Sequence, residues 1–156
     1  MWNPKRTALV GAGCAIAIAA PPLANAAING GAKTIKTTQR ITTLFSTSQG
    51  ATNVGASGGK IAGSTVHGAL RAVSTFATPS KFKATGTLFY PAGTLRYALN
   101  GTATTNPDGS LTVSGSGNFA GGTGSYSGAH GSFAVSGTKP ANSFETWTLK
   151  GKVSYR

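Results

Sequence analysis

Between Gly115 and Gly137 the chain reads GSGNFAGGTGSYSGAHGSFAVSG, with glycine at near-even spacing and no proline or acid to interrupt it. Phe119, Tyr126, Phe133 and Val135 stand between the glycines. Glycine inside a strand marks bulges, tight bends and barrel corners, where two backbones approach closely. The stretch therefore restricts the chain to closely wound β structure. Its glycines speak for a shape and not for a reaction.

The N-terminus reads as an export signal. Lys5 and Arg6 precede an apolar run from Ala8 to Ala20, Pro21-Pro22 ends the run, and Ala24-Asn25-Ala26 supplies an A-x-A cleavage pattern. The run is shorter than the 18 or more residues that span a bilayer, so the expected product is soluble and secreted. Gly11-Ala12-Gly13-Cys14 loosely resembles a lipobox, which makes a lipoprotein anchored through Cys14 the competing expectation. Gly11 stands where that pattern wants leucine or valine, and the apolar run continues past the cysteine. Cleavage after Ala26 removes Cys14, the single cysteine, and with it disulfides, thiolate catalysis and cysteine metal ligands.

Cleavage leaves roughly 130 residues, enough for one core. Residues 27–32 read as a flexible lead and 33–156 as one domain. The formal charge of +12 falls to +10 once Lys5 and Arg6 leave, against only Asp108 and Glu145. Such an excess favours weak association with anionic cell-surface polymers. The basic residues are scattered singly, with no run of five or six and no nucleic-acid-binding module, so no specific nucleic-acid partner is expected.

The remaining segments read as short strands joined by turns. Ile35, Thr37, Ile41, Thr43 and Phe45 fall at even spacing within Lys33 to Phe45. Ser46 to Ser64 is rich in Gly, Ser, Thr and Asn and reads as a long loop over the barrel mouth. Val66 to Ala77 is a strand with Leu70, Ala72, Ser74 and Phe76 on one face and Arg71, Val73 and Thr75 on the other. Lys81 to Tyr90 leads through a Pro91-Ala92-Gly93 hairpin into Thr94 to Thr104. Asn106-Pro107-Asp108-Gly109 is the sharpest turn signal. Ser110 to Phe119, Tyr126 to Gly137 and Ser143 to Tyr155 complete the set. With no convincing helix, the expected class is all-β, a closed antiparallel eight-stranded barrel, with a sandwich as the other all-β solution.

The block GGTGSYSGAHGSFAV from Gly121 to Val135, followed by FETWTLKG from Phe144 to Gly151, resembles the C-terminal half of the plant allene oxide cyclases, and the glycine-turn block is similar to that of the dirigent proteins. The resemblance covers Val66 to Tyr155. It implies an eight-stranded barrel, an interior for one small apolar ligand, and assembly as a homotrimer. It does not carry the cyclase residues across: Lys33 to Phe45 holds no acid, and Val66 to Ala77 holds no cysteine. The family's catalytic glutamate and cysteine therefore have no counterpart here, and cyclase chemistry is not expected.

Glu145 shares parity with Trp147, Leu149, Val153 and Tyr155 on the more apolar face of the last strand. It is the one carboxylate that suits a general acid, against the alternative of a solvated rim residue paired with a neighbouring Lys or Arg. Asp108 belongs to its turn. His67 and His130 lack a third ligand, so neither a metal site nor a cofactor is expected, and His130 should face outward. No G-x-S-x-G elbow supports a triad. Phe76, Tyr97, Phe133, Trp147 and Tyr155 are assigned inward, either filling the core or walling an apolar pocket with Arg71, Arg96 or Glu145 near its mouth. These residues leave three functions open: a barrel binding a small apolar molecule, an isomerase or cyclase using Glu145, or a basic wall-associated structural protein.

Overall fold

The computed structural model describes residues 31–141 and 143–156; the segment expected as an export leader, Cys14 and most of the expected 27–32 lead lie outside the described residues. Eight strands succeed one another in chain order: β1 (Lys33–Ser46), β2 (Gly50–Ile61), β3 (Ser64–Thr78), β4 (Lys81–Tyr90), β5 (Gly93–Thr105), β6 (Leu111–Gly122), β7 (His130–Lys139) and β8 (Glu145–Val153). Each pairs antiparallel with its neighbours in sequence, and β8 closes on β1 to complete a barrel. A closed barrel leaves no unpaired strand edge.

Residue alternation decides what enters the barrel. Ile35, Thr37, Gln39 and Ile41 of β1, Leu70, Ala72 and Ser74 of β3, and Trp147, Leu149 and Val153 of β8 are buried, while the residues between them face out. The outward positions are largely Thr, Ser, Lys and Arg. That is the reverse of a membrane barrel, whose apolar band faces lipid.

Glycine's part in the fold is to make room. Cross-strand register sets an inward glycine beside an inward ring on the next strand: Gly86 beside Tyr97, Gly101 beside Phe82, Gly117 beside Phe133 and Gly137 beside Trp147. A Cβ on any of these four glycines would stand 2.5–2.6 Å from a ring carbon. The rings lie flat across the neighbouring strand only because no side chain occupies that spot.

The segment from Ser46 to Ser64, expected as a loop, is mostly strand β2. It pairs along its length with both β1 and β3. Its small polar residues carry no hydrophobic alternation, but Ala51, Asn53, Ser57 and Ile61 are buried, and two neighbouring strands supply its backbone partners. Tertiary pairing overrides the local propensity. Two smaller expectations also change. Phe45, grouped by even spacing with Ile35, Thr37, Ile41 and Thr43, is exposed, and the β1–β2 register shifts between Thr43 and Phe45. Tyr126 lies not in β7 but in a 3-10 turn, Gly124–Tyr126, that folds back over the barrel end.

Candidate functional site

The two ends of the barrel differ. At the end reached by the C-termini of β4, β6 and β8, three tyrosines stack edge-on. Tyr126 packs against Tyr90 with ring centroids 6.0 Å apart and against Tyr155 at 5.2 Å, and Lys33 Nζ sits 3.9 Å above the Tyr155 ring. The turn carrying Tyr126 caps this end. Burial pushes the Tyr126 phenol above its ordinary range.

The opposite end is open to a cavity of about 240 Å³. One side is polar, made by Thr43, Asn53 and Ser74 of β1, β2 and β3; the other is made by Phe76, Phe82, Val113 and Trp147, with Glu145 and Lys139 at the rim. Asn53 is held at both ends of its amide, its Oδ1 accepting from Thr43 Oγ1 at 2.9 Å and its Nδ2 donating to Ser74 Oγ at 3.3 Å. Trp147 Nε1 donates to Glu145 Oε1 at 2.6 Å, and the Trp147 ring leans on Phe82 with centroids 5.7 Å apart. The Glu145 carboxylate is thus tied to the aromatic wall and half-buried, and among the described residues it forms no ion pair with a basic side chain of the kind the rim alternative supposed.

Below this cavity a second polar group lies inside the barrel. Gln39 Nε2 donates to Thr37 Oγ1 at 2.8 Å and to Ser57 Oγ at 3.4 Å, and Ser57 shares a hydrogen bond of 2.8 Å with the Tyr90 hydroxyl. Gln39 Oε1 is fully buried without a protein partner. Burial raises the Tyr90 phenol, outweighing the opposing hydrogen bonds from Ser57 and Thr37.

The residues assigned to a pocket from sequence separate into four places. Phe76 and Trp147 line the open cavity, with Glu145 at its rim. Tyr97 and Phe133 fill the barrel's middle, edge-to-face at 5.9 Å, and burial drives the Tyr97 phenol far upward. Tyr155 stands at the capped end. Arg71 and Arg96 point outward and share a surface groove with Val73 and Phe89, away from the mouth. Their odd and even positions beside Leu70 and Leu95 carry that signal, since neighbours in a strand face opposite ways. The walls of the cavity also hold Thr43, Asn53, Ser74, Phe82 and Val113, none of which was assigned to a pocket from sequence.

Asp108 sits in its turn, held below the usual carboxylate range by the Ser110 hydroxyl and backbone N–H at 2.7 and 3.0 Å. His67 and His130 both face outward. No group of three His, Cys, Asp or Glu gathers among the described residues.

No family model matches this sequence, and neither the curated proteins nor the solved structures yield a match.

Proposed function

We propose that this chain is a secreted binding barrel that takes a small, largely apolar molecule into the open end, without cyclase chemistry. The observation that carries the reading is the two-sided cavity: a flat apolar body fits against Phe76, Phe82 and Trp147, and a polar group meets Asn53, Ser74 or Glu145. At about 240 Å³ the space is below the roughly 300–1,000 Å³ of drug-sized sites, which favours a single ring or a short chain. The resemblance to allene oxide cyclase and dirigent barrels, including their homotrimeric assembly, belongs to the same reading.

Trp2 and Trp147 are the two tryptophans, so a Trp2→Phe chain reports on Trp147 alone. Titrating its emission with fatty-acid-like and aromatic ligands should give a saturable change at micromolar concentration. Blue, unquenchable emission that answers to none of them contradicts the reading.

Glu145 at the rim supports a second reading, an isomerase or cyclase with this residue as its acid. Glu145→Gln separates the two. A binder keeps its affinity within a few-fold, whereas an acid–base enzyme loses about 10²–10⁴ in turnover.

A further inference from the structure

The scattered lysines of the sequence are assembled by the barrel's register. Lys36 on β1 lies directly opposite Lys60 on β2 and directly opposite Lys150 on β8. All three face outward and are exposed. They form one row across three adjacent strands, spaced by about 4.8 Å. Lys152 extends the patch two residues further along β8, opposite Thr34.

Like charges directly opposed across strands repel and destabilise a sheet. Neither acidic side chain of the sequence neutralises this row. The only acids are Asp108, engaged by Ser110 in the β5–β6 turn, and Glu145, bonded to Trp147 some five residues along β8 and about 16 Å away. The rows beside it carry Thr38 and Thr148 as a facing pair, then Arg40 and Thr146. The exposed Phe144 ring is covered by the Arg40 guanidinium at 4.7 Å. The patch therefore offers cations in line and hydroxyls beside them; the His67 imidazole lies over Gly58 in the row next to the lysines, and the lysine row itself holds no ring.

We propose that the β2–β1–β8 wall, through Lys60, Lys36 and Lys150, docks a linear anionic polysaccharide. The row meets successive negative charges, and the neighbouring threonines hydrogen-bond the sugar hydroxyls. Single-stranded nucleic acid is held by rings on which its bases stack, and the lysine row supplies none. This surface lies outside the barrel and is independent of the open-end cavity.

The test compares binding of the full chain to polygalacturonate with that of two charge-matched variants. One carries Lys36→Gln, Lys60→Gln and Lys150→Gln; the other carries Lys81→Gln, Lys83→Gln and Arg96→Gln, all on the opposite wall. The row variant should bind at least about tenfold more weakly at about 100 mM salt, and its slope of log affinity against log salt should shrink by about two to three. The control should change by less than about threefold. Equal losses in both variants would reduce the effect to net charge and overturn the assignment. Absence of binding by the unaltered chain, or tighter binding to single-stranded DNA of equal charge, would overturn it as well. Lys36→Gln alone should raise the melting temperature while weakening binding, since it removes the charge flanked on both sides; a fall in both would mean that the row serves the fold and not a ligand.

Discussion

The wall made by β1, β2 and β3 and the wall made by β4 to β8 enclose the same interior with different chemistry. The second is built from rings laid over glycines: Phe82 over Gly101, Tyr97 over Gly86, Phe133 over Gly117 and Trp147 over Gly137. The first presents two hydrogen-bonded groups, Asn53 with Ser74 and Thr37, Gln39 and Ser57 with Tyr90. Ring packing fills space and excludes water, so that wall carries the larger share of the stability. Hydrogen bonds made inside replace ones made to water, and each adds about 0.5–1.5 kcal/mol. At the open end the polar wall meets the aromatic one and neither is closed over, which is where the proposed binding role places a ligand.

Substitutions can break this contrast. Phe133 touches both Tyr97 and Phe119, at 5.9 and 4.9 Å between centroids, so Phe133→Ala should cost about 3–5 kcal/mol in denaturant unfolding. Ser57→Ala on the opposite wall should cost only about 1–2 kcal/mol. Equal costs would mean that the two walls do not differ as described. Adding a methyl where a ring already lies tests the role of glycine. Gly101→Ala places its Cβ 2.5 Å from Phe82 Cζ, with only atoms of that ring as its nearest neighbours, and should lose about 1–3 kcal/mol, with no loss if the ring can shift freely.

The contrast also has a pH signature. Burial raises the Tyr97 phenol above its ordinary value of 10.0, so above about pH 10 the unfolded chain releases a proton that the barrel retains. Stability is therefore complete below pH 10 and falls beyond it by up to about 1.4 kcal/mol per pH unit for this group. Tyr97→Phe should flatten that alkaline limb in melts taken between about pH 9 and 11, and an unchanged limb would assign the effect elsewhere. The smallest effect belongs to Gln39→Leu. It removes the buried acceptor that has no partner, but also the hydrogen bonds that Nε2 gives to Thr37 and Ser57, so gain and loss should nearly cancel and stability should stay within about 1 kcal/mol of the original. A larger loss would show that Gln39 organises the polar wall.

The same contrast explains what could be read from residues alone. The aromatic wall announced itself, because rings alternating with glycine and the NPDG turn mark strands and their ends; Phe76, Trp147 and Glu145 reached the cavity by parity alone. Strand β2 did not, because ATNVGASGG holds its buried positions with small and polar side chains that resemble a loop until β1 and β3 pair with them. Asn53 was hidden with it. Ser74 was placed on the inward face, but its bond to Asn53 depends on two strands meeting, which spacing within one strand does not reveal. The lysine row is hidden for the same reason, since Lys36, Lys60 and Lys150 become neighbours only through register.

If the meeting of the two walls at the open end is a binding site, a ligand must disturb that end and leave the capped end alone. Backbone and indole N–H chemical shifts, mapped in the full chain as a single-ring phenol such as 4-ethylphenol is added, decide between the ends. Shifts concentrated at Thr43, Asn53, Ser74, Phe82, Glu145 and the Trp147 indole, with Tyr126 and Tyr155 unmoved, are the expected result. Shifts centred on the tyrosine-capped end, or none at saturating phenol, would contradict it.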